Sequence, residues 1–292
     1  MRALPNKITA ARHPLVWLDD RMPPEGHLHR WIVKITWLLF AAVAYLLLRD
    51  VIESWIALPT LGNIGFTLVF VLFSVVHCAV CEGGKRTAVF FLLSASISWL
   101  LEETGVRSGL IYGPYHYSSM LGPKLGHVPF IIPLAWFMMI YPSWVVARAV
   151  LRGIDTRSFP GLSALALVAA LVMTAWDTVM DPGMSAAGNW IWEQGGPYFG
   201  VPLHNYFGWL LTTFLVYWGA GLLWRSTSSR PSLLPRTFAA LPVILYALDA
   251  LSYMTPRRFA ALQIVAVFSM GTPALAAILQ TWMPQQQNTT SD

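Results

Sequence analysis

Eight apolar runs, each near the length that crosses a bilayer, leave this chain few folds to choose from. They occupy roughly 31–48, 62–80, 87–101, 128–148, 161–180, 203–224, 236–253 and 259–282. About 20 apolar residues cross a hydrocarbon core as one helix. Within that core, only helices and closed barrels pair all their backbone polar groups. Runs this long read as helices, so the expected fold is all-α, a polytopic membrane bundle of seven to eight transmembrane helices. The third run is short and the seventh contains Asp249, which sets the range. Charged residues make up only 11% of the chain, less than half of what soluble domains carry.

Basic residues alternate between the two ends of such a bundle. The N-terminal tail and the connections after runs two, four and six hold 13 Lys and Arg, and the other connections hold 5. The positive-inside rule then places the N-terminus in the cytoplasm and the protein in the cell membrane as a multi-pass chain. Arg257 and Arg258 fit this arrangement poorly. The implied layout is a cytoplasmic tail over 1–30, a single transmembrane domain over 31–283, and a disordered polar tail over 284–292. Residues 1–30 contain no apolar stretch of the kind a cleavable leader needs.

Composition also removes several function classes. The net charge of +5 is explained by topology, and no basic cluster interleaved with aromatics suggests nucleic acid. Cys78 and Cys81 in HCAVCE lack the second ligand pair that structural zinc requires, so they read as packing residues. His13, His27, His29, His77, His116, His127 and His204 are scattered rather than clustered as iron ligands. Neither a glycine-rich dinucleotide fingerprint nor a phosphate loop is present. No cofactor or metal is expected.

Two segments interrupt the hydropathy, both rich in Gly, Pro and aromatics: 101–129 and 181–209. They follow runs three and five and therefore open on the same membrane face. Glu102, Glu103, Asp177, Asp181 and Glu193 gather there, forming an acidic, aromatic cup. Asp249 lies on another run and is expected outside it. The carboxylates in WDTVMDP, Asp177 and Asp181, are four residues apart and share a helix face if the helix reaches them; Pro182 is expected to end it. Carboxylates are costly in a membrane and are usually paired or functional there. Two desolvated carboxyls side by side resist full ionisation and titrate as a unit. That suits the pair to protonate a weak base and then recover a proton from water. Glu102 and Glu103 are candidates to position that water, although Glu103 is also spaced to pair with Arg107. Tyr112, Tyr115 and Tyr117, with Trp190, Trp192 and Trp209, supply aromatic faces that can line a polyene channel and stabilise a carbocation. His116 and Asn205 are the remaining polar candidates.

These residues resemble those of the CruF-type carotenoid 1′,2′-hydratases, a family that includes the bacterioruberin-pathway hydratases. The likeness rests on EETGVRSGLIYGPYHYSSMLGPKLGHVP, WDTVMDP, GNWIW and GPYFGVPLHNYFGW, within Trp99 to Trp218. Tyr112 stands where an aromatic Phe would be expected. The resemblance implies addition of water to the terminal double bond of an acyclic ψ-end group, giving a tertiary 1-hydroxy carotenoid. The substrate would lie in the bilayer, as γ-carotene, lycopene or a C50 precursor. Water is the second reactant, and other carotenoid-forming enzymes are possible partners.

Two other classes fit parts of the sequence. The DxxxD spacing of Asp177 and Asp181 is also that of a magnesium–diphosphate motif in a membrane prenyltransferase or lycopene elongase. That face offers only Arg107 and Lys124 to a diphosphate. Intramembrane carboxylates also serve proton-coupled lipid transporters, but no inverted repeat is visible.

Overall fold

The computed structural model describes residues 27–53, 56, 58–225, 234–255 and 260–283. Six long helices come first: α1 (His27–Ile52), α2 (Gly62–Glu82), α3 (Gly84–Ser108), α4 (Ile131–Val150), α5 (Phe159–Ala186) and α6 (Leu203–Arg225). Then follow α7 (Arg236–Ala239), α8 (Leu241–Ser252), α9 (Ala260–Ala266) and α10 (Thr272–Trp282), with a π turn at Val267–Gly271 joining the last two. The bundle is helical and membrane-spanning in character, with seven helices long and apolar enough to cross a bilayer among the described residues. The 236–253 run yields α7 and the 12-residue α8. At 1.5 Å per residue α8 extends only about 18 Å, well short of a crossing. The third run, read from sequence as short, is a 25-residue helix. The tail after 283, most of the N-terminal tail, and Arg257 and Arg258 lie outside the described residues.

Helix α4 is the hub, with thirteen buried residues from Ile131 to Ala147. The outer helices instead expose Leu38, Leu72, Leu92, Phe207 and Phe268, the apolar surface that lipid would cover. A helix that is greasy on all sides is usual for a membrane span, so here inside and outside differ in packing rather than polarity.

Two prolines inside helices would each break this bundle if left uncompensated. A proline inside a helix has no N–H for the carbonyl four residues earlier, and lipid offers that carbonyl no other donor. Each orphaned carbonyl is met by a side chain from elsewhere. Pro142 frees the carbonyl of Met138, which accepts from the Ser74 hydroxyl of α2 at 2.8 Å. Pro182 frees that of Thr178, which accepts from Tyr198 at 2.9 Å. At the break between α7 and α8, where Pro242 lies in the first turn of α8, the Phe238 carbonyl accepts from His77 Nε2 at 2.8 Å. Since Nε2 donates, His77 Nδ1 is left to accept from the Tyr141 hydroxyl at 2.7 Å. His77 is therefore a neutral brace, and Cys81 Sγ packs 3.6 Å from its Nδ1. The second bond corrects a sequence expectation. Helix α5 does not end at Pro182 but runs to Ala186, because the Tyr198 hydroxyl takes the lost N–H's place.

The ends of the bundle differ in character. At one end Glu82 accepts from Arg86 at 3.4 Å and from Arg148, tying α2, α3 and α4 together. At the other, two short antiparallel ribbons form: β1 (Tyr115–Tyr117) with β4 (Trp190–Trp192), and β2 (Lys124–Leu125) with β3 (Val128–Pro129). The β1–β4 pairing joins the connection after α3 to the connection after α5, so the two interruptions share one end of the bundle. Both begin later than hydropathy suggests, since 101–108 continue α3 and 181–186 continue α5.

Two measurements follow from these contacts. Ser74→Ala leaves the Met138 carbonyl unpaired in a dry core, so stability in detergent should fall by about 1–3 kcal/mol, read from the thermal midpoint. Single cysteines at the exposed Ser119 and Ala186 should react with an impermeant thiol reagent from one side of the membrane. One at Asp155, in the turn between α4 and α5, should react from the other.

Candidate functional site

The ribbon at the cup end sets the site's geometry. Strand side chains alternate between faces, and the register pairs Tyr115 with Trp192, His116 with Ile191 and Tyr117 with Trp190. Tyr115, Tyr117 and Trp190 point into the bundle and are buried, and Trp192 is half-buried beside them. His116 and Ile191 point outward and are exposed. Tyr115 tilts against Trp192 at 5.0 Å between ring centroids, and Tyr117 meets Trp190 edge-on at 6.2 Å. Below them Trp136 stacks on Trp209 at 4.0 Å, and Trp176 meets Trp209 edge-on at 6.0 Å.

Tyr112 fits this wall because two glycines make room for it. A Cβ on Gly105 would lie 2.6 Å from its ring, and one on Gly208 would lie 2.5 Å from the opposite edge. Its hydroxyl bonds Thr212 Oγ1 at 2.7 Å. Burial, and after it the Glu102 carboxylate, pushes the Tyr112, Tyr115 and Tyr117 phenols well above their ordinary range. All three therefore remain neutral hydrogen-bond donors.

Buried carboxylates lie against this wall. Glu102 on α3 accepts from the hydroxyls of Tyr115 and Tyr117, the latter at 2.8 Å, and from Trp136 Nε1 at 3.1 Å. Asp177 and Asp181 on α5 are bridged by a single amide. Asn205 Nδ2, at the start of α6, donates to Asp177 Oδ2 at 2.9 Å and to Asp181 Oδ2 at 2.7 Å. Asp181 Oδ1 also accepts from Trp190 Nε1 at 2.8 Å and Trp192 Nε1 at 3.3 Å. Asp177 Oδ1 is buried and has no protein partner. The two aspartates are thus unequal. Asp181 meets three N–H donors and Asp177 one, so a proton held by the pair belongs on Asp177 at rest.

Glu102, Asp181 and Asn205 open onto a cavity of about 350 Å³ roofed by the aromatic wall. Its far side is formed by α1 and α2, where Leu46, Leu47, Ile64 and Phe66 lie beside the polar Arg49, Asn63 and Thr67. Of the candidates read from sequence, Glu102, Tyr112, Tyr115, Tyr117, Asp181, Trp190, Trp192, Asn205 and Trp209 line this cavity. Asp177 does not; it sits directly behind Asp181. Glu103 faces away from it, bonded to Arg107 at 2.7 Å and to the backbone N–H of His127 at 2.7 Å. His116 pairs with Glu193 at 2.5 Å on the exposed face of the ribbon. Asp249, expected outside the cup, lines the cavity with Ser252 and Tyr253 of the α8 end. The sequence reading missed it because α8 follows the cup segments by forty residues and reaches the cavity only by packing on α1 and α4. Trp136, also missed, lies on α4 among apolar residues and reads there as core. Only its indole N–H, directed at Glu102, distinguishes it.

Removing the Asn205 amide leaves two buried carboxyls facing each other. Asn205→Ala should therefore cost about 1–3 kcal/mol of stability in detergent. His116→Ala, breaking an exposed pair, should cost less than about 1 kcal/mol. Thermal unfolding of both variants in the same detergent checks the contrast.

The family described as carotenoid biosynthesis protein matches residues 62–281, most of the chain and all of the cup. The chain is 36% identical over 129 residues to the bisanhydrobacterioruberin hydratase of Haloarcula japonica, a match covering 44% of this chain and 42% of that protein. No solved structure matches. The protein is a member of the carotenoid biosynthesis protein family.

Proposed function

We propose that this protein is a carotenoid 1,2-hydratase, a hydro-lyase adding water across the terminal C1–C2 double bond of an acyclic ψ-end group. The observation that carries the reading is the unequal carboxyl pair, bridged by Asn205, with its cavity-facing member beneath an aromatic wall. The substrate's end group enters the cavity, and the rest of the polyene lies along the apolar residues of α1 and α2. The protein sits in the cell membrane with its N-terminus in the cytoplasm, and neighbouring carotenoid-forming enzymes supply the polyene.

The aspartate pair holds one proton. The proton moves from Asp177 to Asp181, which faces the cavity and passes it to C2, the less substituted alkene carbon, and a tertiary cation forms at C1. Faces of Tyr115, Trp136, Trp192 and Trp209 lie over that cation, where ring quadrupoles attract positive charge. Glu102, fixed by three donors, faces the same region and orients the water. The water oxygen bonds to C1 and its surplus proton returns to the aspartate pair, so the enzyme ends as it began. A carboxyl is a weak acid for an alkene. Much of the barrier must therefore be lowered by fixed dipoles in a dry site rather than by acid strength.

The diphosphate-transfer alternative fits less well. Magnesium-bridged diphosphate needs carboxylates open to the ligand. Here Asp177 lies behind the cavity, and Asp181 is occupied by two indoles and an amide. Of the cations at that end, Arg107 is bound to Glu103, Lys124 donates to the Tyr117 carbonyl at 2.6 Å, and Arg49, which lines the cavity, pairs with Glu53 at 2.5 Å.

The test is pigment analysis after expression in cells that make lycopene. A 1-hydroxy carotenoid should appear with the native chain, and fall by orders of magnitude with Asp181→Asn or Asp177→Asn at equal membrane insertion. Accumulation of a longer, prenylated carotenoid would sink the reading. So would full activity in both variants.

A further inference from the structure

On α5 and α6, outside the cavity lining, three buried polar atoms have no protein partner: Thr174 Oγ1, Asp177 Oδ1 and the Tyr206 hydroxyl. Thr174 and Asp177 are three residues apart on α5 and stack on one face of it. Tyr206 follows Asn205 on α6, within electrostatic reach of both aspartates. It leans edge-on against Tyr198 at 5.5 Å, where the connection before α6 reaches the surface. Both tyrosines are partly exposed.

Buried polar groups in folded proteins are almost always hydrogen-bonded, and an internal water with two to four polar neighbours is the usual way of pairing several at once. We infer that Asp177, Thr174 and Tyr206 bind a structural water that connects the rear of the aspartate pair to the loop face, separately from the substrate cavity. Through it a proton leaving Asp177 Oδ1 passes to the water. The water gives one of its own to the Tyr206 oxygen as the Tyr206 hydroxyl, buried at rest, turns to the loop face and gives its proton to bulk water; the reverse sequence recharges the pair. Thr174 and Tyr206 are positioning residues in this scheme, because neither touches the substrate. The route lets the pair equilibrate with solvent while the aromatic cavity, where a stray water would quench the cation early, stays dry.

This inference rests on the reading that the pair carries a proton, and it is tested without substrate. Infrared spectra of membranes containing the whole protein should show a protonated-carboxyl band that Asp177→Asn removes. Thr174→Val and Tyr206→Phe each delete one partner of the water while keeping side-chain shape. Each should shift that band and slow its exchange in deuterated water. A band unmoved by both variants, or no band lost in Asp177→Asn, would overturn the inference. Pigment analysis separates the two readings: shifted bands in a protein that hydrates nothing would leave the water site standing and remove the catalytic scheme.

Discussion

The side-chain amide of Asn205 gives one hydrogen to each of two aspartates that would otherwise confront each other in a dry core. Much of the cup follows from that bridge. It draws the start of α6 against the end of α5, and this requires α5 to continue past Pro182 so that Asp181 completes the turn. Continuation in turn requires a donor for the Thr178 carbonyl, which Tyr198 provides from the connection between the two helices. The same connection carries Trp190 and Trp192, whose indoles hold Asp181 from the other side. Their strand pairs with the one carrying Tyr115 and Tyr117, which hold Glu102. Two carboxylate centres are thus linked through one ribbon.

The bridge also makes the aspartates chemically different, which an isolated DxxxD spacing cannot do. A symmetric pair would share its proton equally and face the same solvent. Here one member meets three N–H donors and the cavity, while the other meets one donor and lies outside the cavity lining. In the proposed mechanism, proton storage and proton delivery therefore fall to different residues a single helical turn apart.

Much of this was legible in the sequence, for identifiable reasons. Apolar length marked the spans, since a bilayer imposes it directly, and loop parity brought the two interruptions to one end. The YHY and WIW triplets carry the period-two pattern that puts four aromatics inward and His116 outward, yet their pairing joins strands more than seventy residues apart and has no local signal. The end of α5 was misjudged because a distant side chain, Tyr198, repairs Pro182. Asp249 and Trp136 escaped because only packing brings them to the cavity. The seventh apolar run, 236–253, looked like a crossing because hydropathy records composition, whereas its helix breaks between α7 and α8.

The account's central claim concerns where the product's oxygen originates. A carboxyl pair beside aromatic faces can deliver a proton and then a water, and nothing in that scheme consumes dioxygen or reductant. The most direct test is to supply a ψ-end carotenoid to membranes containing the protein in ¹⁸O-labelled water, without air, and weigh the product. The account predicts label in the tertiary hydroxyl and undiminished yield. Label arriving from ¹⁸O₂, or a strict need for air, would contradict it.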